Sequence, residues 1–154
     1  MLLKGIINED FSNYKKCSMT LIFPYCTFKC GEDLCQNSTL AKAPVIEVSI
    51  ENIIDRYTKN IYSDSIVCQG LEPFDSWVDL QLLIVHLRGA GIEDDIVIYT
   101  GYTEDEIKDK IDWLKHYKNI IIKFGRYIPN QKKYYDEMLG VELASDNQYG
   151  KKIS

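Results

Sequence analysis

Hydrophobic residues dominate four short runs of the chain, without the regular alternation of a half-buried strand. The runs lie at residues 18–23, 65–68, 96–99 and 119–124. Continuous apolar runs of this length are typical of strands covered on both faces, as in a parallel sheet packed between other elements. The pattern therefore predicts four buried parallel strands, with a candidate fifth strand at residues 2–7.

Between the runs, apolar residues recur three and four positions apart, which is the spacing of a helix that buries one face. Each such segment follows a residue that can cap a helix: Ser49, then Asp75 or Ser76, then Thr103, which forms a capping-box pattern with Glu106. The predicted buried positions are Ile50, Ile53, Ile54 and Tyr57 in the first helix, Trp77, Leu80, Leu83, Ile84 and Leu87 in the second, and Ile107, Ile111 and Leu114 in the third.

The alternation of strands and helices predicts an α/β fold with right-handed crossovers between parallel strands. Four or five strands are too few for a closed eight-stranded barrel, so we expect an open sheet or a partial barrel. No internal repeat, low-complexity segment or Pro/Gly-rich linker divides the sequence. A single domain is therefore expected over residues 1–154, with a weakly periodic C-terminal extension from about residue 125.

The composition is that of an ordinary globular protein, with 45% hydrophobic and 27% charged residues in a chain of 154. The formal net charge of −5 argues against nucleic acid as a partner, because phosphate binding needs a basic surface. No apolar run approaches the roughly 20 residues of a membrane helix, and the N-terminus is too soon charged for a signal peptide. These features predict a cytoplasmic protein that binds neither membranes nor nucleic acid.

Chemically distinctive segments follow each of the four predicted strands. A loop with three cysteines follows the first strand, and residues 69–73 follow the second. Thr100 and Gly101 follow the third strand, and residues 123–126 close the fourth. Because ligands bind at the carboxyl ends of the strands in parallel α/β sheets, these four segments are predicted to converge on one site.

Three of the five cysteines, Cys26, Cys30 and Cys35, lie within a ten-residue stretch. In a chain without a signal peptide, such a cluster indicates metal or redox chemistry rather than a disulfide framework. Structural zinc takes four ligands, and the two histidines, His86 and His116, lie far along the chain in or near predicted helices. A 4Fe–4S cluster held by three cysteines would leave one iron open for another ligand. A zinc site and unliganded thiols are alternative interpretations of the same loop.

The loop resembles the signature of the radical S-adenosylmethionine superfamily, whose usual spacing is C-x3-C-x2-C. Cys26 and Cys30 have the first spacing, whereas four residues separate Cys30 from Cys35. Gln36 and Asn37 follow, and they are similar to the Cys-His-Asn ending of one branch of that superfamily. This branch comprises the activating enzymes of anaerobic ribonucleotide reductase.

Three further stretches resemble this branch, and they occur in the same order. Residues 70–73, Gly-Leu-Glu-Pro, are similar to its Gly-Gly-Glu/Asp-Pro motif, with Leu71 in place of the second glycine. Residues 98–103, Ile-Tyr-Thr-Gly-Tyr-Thr, are similar to its Tyr-Thr-Gly strand end and the capped helix that follows. Residues 145–148, Ser-Asp-Asn-Gln, resemble its Ser-Ser-Asn-Gln tail.

The resemblance implies a partial, open parallel β/α barrel of the radical S-adenosylmethionine type. It also implies two cofactors, a 4Fe–4S cluster and S-adenosyl-L-methionine. In this family, one electron from the reduced cluster cleaves the cosubstrate to methionine and a 5′-deoxyadenosyl radical, which removes a hydrogen atom from a glycine of the reductase. The implied partners are the large subunit of the anaerobic ribonucleotide reductase and a flavodoxin-type electron donor.

The resemblance assigns roles to the residues that match its motifs. Cys26, Cys30 and Cys35 would ligate iron, and no catalytic residue is expected beyond the cluster and the cosubstrate. Glu72 would accept a hydrogen bond from the ammonium group of the cosubstrate. Gly70 would let the backbone approach the methionine moiety.

Three more residues are expected at the cosubstrate. Leu34, just before the third cysteine, would lie against the adenine, and Thr100 would meet the adenosine. Lys123 would bind the methionine carboxylate or be a solvated lysine at a strand end. Two other functions compete with the activase: a non-catalytic zinc- or iron–sulfur-binding interaction module, and a radical enzyme that acts on another substrate.

Overall fold

The computed structural model describes residues 1–29, 31–35 and 37–154, and these contain the following elements. The strands are β1 (Leu2–Leu3), β2 (Gly5–Asp10), β3 (Ser18–Phe23), β4 (Ile46–Glu47), β5 (Ser65–Gly70), β6 (Asp95–Tyr99), β7 (Ile120–Phe124), β8 (Tyr134–Asp136), β9 (Val141–Leu143) and β10 (Tyr149–Lys152). The α-helices are α1 (Ser38–Lys42), α2 (Ile50–Lys59), α3 (Trp77–Gly89) and α4 (Lys108–Leu114).

A mixed sheet with the strand order β10-β7-β6-β5-β3-β2 forms the centre of the molecule. The pairs β3·β5, β5·β6 and β6·β7 are parallel, whereas β2 and β10 are antiparallel to their neighbours. Helices α2, α3 and α4 lie in the crossovers between successive parallel strands. All four parallel strands therefore end at the same edge of the sheet.

The α/β class and the four predicted parallel strands are confirmed, and β3 has the predicted bounds. The candidate fifth strand divides in two, because Leu2–Leu3 pair with β4 while Gly5–Asp10 pair with β3. The sequence does not predict β10, whose residues Tyr149–Lys152 include two lysines and no apolar run. Lysines are common on edge strands, where they discourage pairing with other chains. The partial barrel and the single domain stay predictions.

The first face of the sheet packs against the helices. The buried residues of this core include Met19, Leu21, Phe23, Ile66, Ile98 and Ile122 from the strands and Ile53, Leu80, Leu83, Leu87, Ile111 and Leu114 from the helices. The helical faces predicted from the spacing are therefore the faces that pack on the sheet. No helix in the described part of the chain is long and apolar enough to cross a membrane.

The helix starts follow the predicted caps only in part. The Ser49 side chain caps α2 by accepting from the amide of Asn52 at 3.1 Å, as predicted. The prediction of a full capping box between Thr103 and Glu106 is wrong. The amide and hydroxyl of Thr103 both donate to Oε2 of Glu106, at 2.9 and 3.3 Å, which is one half of the box, but the residue before the helical turn is Glu104. The segment opens instead with a 3₁₀ turn, Asp105–Ile107, that leads into α4.

The second face of the sheet is covered by the late part of the chain. The hairpin β8–β9 packs on this face together with Tyr14, and the cluster contains Tyr14, Val67, Val97, Ile121, Leu139 and Leu143. Gly140 closes the hairpin with a φ of +73°, and a Cβ there would lie 3.2 Å from the Cα of Lys15. The expected extension after residue 125 thus forms a layer over the sheet.

Replacing Leu83 by alanine is expected to lower the free energy of unfolding by about 2–5 kcal/mol, because the fully buried side chain leaves a cavity. Leu82→Ala is the matched control on the same helix, since Leu82 is 43% exposed. Its effect should stay within about 0.5 kcal/mol. Urea unfolding of both variants measures the difference, and equal losses would contradict the assigned helix face.

Candidate functional site

A cavity of about 330 Å³ opens at the edge of the sheet where the parallel strands end. The segments that follow those strands supply part of its walls, with Cys26, Cys35, Gly70, Glu72, Thr100, Gly101, Lys123 and Arg126. The structure thus brings together residues from all four of the segments that were expected to converge. Each of these residues lies on a loop or strand end positioned by the parallel sheet.

The cysteine loop turns sharply after Cys26. The amide of Phe28 donates to Sγ of Cys26 at 3.2 Å, and the amide of Gly31 donates to the Phe28 carbonyl at 2.8 Å. Phe28 has a φ of 50°, a conformation that is costly for a non-glycine residue. The thiolate is the form of cysteine that ligates metals, and the Phe28 amide is directed at this sulfur. Cys30 and Gln36 lie outside the described residues.

Hydrogen bonds fasten both ends of the loop to neighbouring segments. The amide of Thr27 donates to Oδ2 of Asp75 at 2.8 Å. At the other end, the side-chain amide of Asn37 donates to the Gly70 carbonyl at 2.8 Å. The side chain of Leu34, which was expected against the adenine, lies outside the described part of the structure. The loop is therefore tied to the last residue of β5 at one end and to the turn after β5 at the other.

Gly70 is required where two strands approach each other closely. Its φ is +104°, and a Cβ at this position would lie 2.9 Å from the amide nitrogen of Phe23. Pairing continues beyond the strand, because Leu71 donates its amide to the Phe23 carbonyl at 3.1 Å and Glu72 donates to the Tyr25 carbonyl at 2.7 Å. This packing requirement is separate from the expected approach to a cosubstrate, which stays a prediction.

The carboxylate of Glu72 is buried, 5% exposed, and bridges the ends of β5 and β6. Oε1 accepts from the Thr100 hydroxyl at 2.9 Å and from the Phe74 amide at 3.1 Å, and Oε2 accepts from the Gly101 amide at 2.9 Å. A carboxylate has about four acceptor positions, so Oε2 can accept one more bond. Burial raises the pKa of Glu72 to about 7, although these hydrogen bonds oppose the shift. The group therefore changes charge near neutral pH.

Lys123 brings a buried ammonium group into the same cavity. Its Nζ donates to the Gly125 carbonyl at 3.0 Å, and the residue is 7% exposed. Burial lowers the pKa of Lys123 to about 8, and the negative charge of Glu72 opposes this shift. The interpretation of Lys123 as a solvated strand-end lysine is wrong, because the side chain is buried. Its role toward a carboxylate stays a prediction.

Thr100 uses its hydroxyl within the protein. The hydroxyl donates to Glu72 and accepts from the amide of Tyr102 at 3.0 Å. The Thr100 amide donates to the Lys123 carbonyl at 2.8 Å. Thr100 therefore ties the ends of three strands together, and its expected contact with an adenosine stays a prediction.

Sequence analysis misses several residues of the cavity wall. Tyr99 lies at the last position of β6 that faces the hairpin β8–β9, and the two-residue period of a strand could have identified it. Gln148 comes from the tail and donates its side-chain amide to the Gly125 carbonyl at 3.3 Å. No local pattern reveals this contact, because it depends on the pairing of β10 with β7.

The donors at the cavity rim suit an iron–sulfur cluster. Cys26 and Cys35 line one wall, and thiolates are the usual ligands of such clusters. Both histidines are exposed and bond to carbonyls of their own helical segments. Within residues 1–29, 31–35 and 37–154, no three His, Cys, Asp or Glu side chains form a metal site. The loop fits a cluster whose third expected ligand, Cys30, lies outside the described residues.

Comparison with known protein families agrees with this chemistry. The family described as "4Fe-4S single cluster domain" matches residues 15–149, a range that contains the cysteine loop and all four strand ends. No curated protein and no solved structure matches the chain. Because the family match covers most of the sequence, the chain belongs to the 4Fe-4S single cluster domain family.

Proposed function

We propose that the protein is a radical S-adenosylmethionine activase, which generates the glycyl radical of an anaerobic ribonucleoside-triphosphate reductase. The proposal rests on one observation. A loop whose sequence contains three cysteines lies beside a cavity that holds the buried carboxylate of Glu72 and the buried ammonium group of Lys123. Three cysteines leave one iron of a 4Fe–4S cluster without a protein ligand. An amino-acid cosubstrate beside that iron suits both the cluster and the cavity.

The charged groups of the cavity complement the methionine end of the cosubstrate. Glu72 retains an acceptor position for an ammonium group after its three hydrogen bonds within the protein. Lys123 uses one donor on Gly125, and an ammonium group has three. Charge-assisted hydrogen bonds from buried groups orient a ligand strongly. These two side chains would therefore fix the amino acid portion of S-adenosylmethionine.

The nucleoside end of the cosubstrate would extend along the ends of β5 and β6. Leu34 and Thr100 are the residues that the resemblance assigns to it, whereas Gly70 is assigned to the methionine moiety. The Thr100 hydroxyl already has a donor bond and an acceptor bond inside the protein, so it would offer the ligand only its remaining lone pair. Thr100 would thus contribute more to the shape of the wall than to ligand binding.

Cys26, Cys30 and Cys35 would hold the 4Fe–4S cluster, which in its reduced form would supply one electron for cleavage of the cosubstrate. The chain's own residues would hold the substrate in position and exclude water, which is the general contribution of a protein to cofactor chemistry. The hairpin β8–β9 supports this role, since Val141, Leu143 and neighbouring residues form the far wall of the cavity. A glycine-containing segment of the reductase and a flavodoxin-type donor are the proposed partners.

The decisive experiment is anaerobic reconstitution with iron and sulfide, followed by reductant and S-adenosylmethionine. Methionine and 5′-deoxyadenosine are the expected products, and addition of an anaerobic ribonucleoside-triphosphate reductase from the same source should yield a glycyl radical signal in electron paramagnetic resonance. A full cluster without formation of 5′-deoxyadenosine would contradict S-adenosylmethionine as the cosubstrate. Formation of 5′-deoxyadenosine without a glycyl radical would contradict only the assignment of the reductase as the partner. One zinc per chain and no iron would favour the interaction module.

Replacing Cys30 by alanine should abolish assembly of the cluster, because only two thiolates of the loop remain. Iron and sulfide analysis of anaerobically purified protein measures the effect. Cys17→Ala is the matched control, since Cys17 lies outside the loop and should leave the iron content unchanged. Normal iron content in Cys30→Ala would contradict the assigned ligands.

The affinity for S-adenosylmethionine should increase as the pH rises through about 7, because Glu72 becomes charged there and then attracts the ammonium group. Glu72→Gln should raise the dissociation constant at pH 8 by about tenfold or more, as expected for loss of a charged hydrogen bond of about 1.5–3 kcal/mol. The variant should also lose the increase in affinity near pH 7, whereas a decrease above about pH 8, where Lys123 loses its charge, should remain. Equilibrium binding to the reconstituted protein measures both effects.

Glu142→Gln is the control for this variant, because Glu142 lines the same cavity but its side chain is exposed and paired with Lys133. It should keep both the affinity and the pH dependence of the wild-type protein. An unchanged dissociation constant in Glu72→Gln would remove Glu72 from the binding site.

A further inference from the structure

Two side chains from outside the cysteine loop, Asp75 and Tyr102, meet at its first turn. Asp75 belongs to the 3₁₀ turn Pro73–Ser76 after β5, and Tyr102 follows β6. The Asp75 carboxylate accepts the amide of Thr27 at 2.8 Å through Oδ2 and the Tyr102 hydroxyl at 2.6 Å through Oδ1. A single carboxylate therefore joins the loop to the ends of two strands.

The anchored residue lies next to the sulfur. Thr27 stands between Cys26 and Phe28, and the Phe28 amide is the group that donates to Sγ of Cys26. A fixed Thr27 amide fixes the peptide plane between Cys26 and Thr27, so the direction of the Phe28 amide then depends only on the φ and ψ of Thr27. The positive φ of Phe28 would relax if the chain before it were released. The bond between Thr27 and Asp75 thus supports the geometry at the Cys26 sulfur.

Tyr102 is itself held firmly. Its amide donates to the Thr100 hydroxyl at 3.0 Å, and its carbonyl accepts from the Gly125 amide at 3.2 Å. The Lys29 ammonium lies 4.8 Å from the centre of its ring. Burial raises the pKa of Tyr102 to about 12, which keeps the hydroxyl protonated and able to donate to Asp75. The backbone of Tyr102 is therefore fixed by the strand ends, and its side chain joins Asp75 to form an anchor for the loop.

We propose that Asp75 and Tyr102 are positioning residues of the cluster site, which hold Thr27 so that the Phe28 amide donates to the Cys26 sulfur when that sulfur ligates iron. Neither residue touches the reacting atoms in this proposal. The inference depends on the cluster of the 4Fe-4S family and on Cys26 as a ligand. It does not depend on S-adenosylmethionine or on the reductase.

Two measurable properties follow from this arrangement. A ligand whose loop is anchored should exchange slowly, so the anchor should slow the loss of iron to a chelator. Hydrogen bonds to the sulfurs also tune the potential of a cluster, because they stabilise the more negatively charged reduced state. Loss of the Phe28 hydrogen bond should therefore make the midpoint potential more negative. A residue that only stabilised the fold would not shift this potential.

The test uses Tyr102→Phe, Asp75→Asn and the double variant, each reconstituted anaerobically with a 4Fe–4S cluster. Iron release to an excess of an iron(II) chelator should be about fivefold faster in Tyr102→Phe and about tenfold or more faster in Asp75→Asn, as for the loss of hydrogen bonds to a charged group. The double variant should match Asp75→Asn within about twofold, because Tyr102 acts mainly through the Asp75 carboxylate and its direct contact with the Thr27 hydroxyl is long, at 3.4 Å. Tyr102→Phe, which keeps the net charge, should have a more negative midpoint potential.

Two control variants distinguish the roles of Asp75 and Tyr102 from the general effect of losing a hydroxyl or a negative charge near the loop. Tyr25→Phe removes a hydroxyl from an exposed tyrosine beside Cys26, and Asp33→Asn removes a negative charge from an exposed position of the same loop. Both should release iron at the wild-type rate. The proposal is overturned if Tyr102→Phe keeps the wild-type release rate and potential, or if the controls change as much as the variants.

If Asp75→Asn does not fold, Tyr102→Phe still decides the question, since the phenylalanine keeps the ring and removes only the donor. If the wild-type protein produces no 5′-deoxyadenosine while the variants still show the altered release rates and potentials, the roles of Asp75 and Tyr102 are supported and the proposed reaction is contradicted. The two proposals can therefore fail separately.

Discussion

The buried carboxylate of Glu72 is the contact on which the geometry of the site depends. It comes from the end of β5 and accepts hydrogen bonds from the hydroxyl of Thr100 and the amide of Gly101 at the end of β6. Through Thr100 the connection continues to the carbonyl of Lys123 on β7. A buried carboxylate is tolerated only where donors surround it, so its presence requires these strand ends to stay close together. The group that organises the edge is also the group that titrates near neutral pH.

Much of the sheet could be predicted from sequence because its central strands are buried on both faces. Such strands are continuous apolar runs, and the run at residues 18–23 gives the bounds of β3 directly. The outer strands lack this signal. Strand β10 is polar, and it exists because the chain returns to pair with β7 after the hairpin β8–β9. Its position depends on contacts between distant residues, which a local pattern does not contain.

Some features of the candidate site can likewise be predicted from neighbouring residues in the sequence, whereas others depend on contacts between distant residues. The cysteine loop is recognisable because the spacing of its ligands is local. The contacts that hold the loop cannot be recognised from the sequence. Asp75 is predicted only as a helix cap, and Tyr102 is one of eleven tyrosines. Each gains its role from a partner far along the chain, Thr27 in the case of Asp75. The burial of Lys123 is likewise invisible in sequence, since the hairpin and tail that cover it come later.

The second face of the sheet is completed by residues that are synthesised late. Polypeptides form from the N-terminus, and domains begin to fold during synthesis. All of residues 26–35 are made before residues 134–152, which supply the hairpin over Val67, Val97 and Ile121 and the tail that contacts Gly125. A growing chain therefore passes through a stage in which the cysteines are present while the cavity still lacks its last wall.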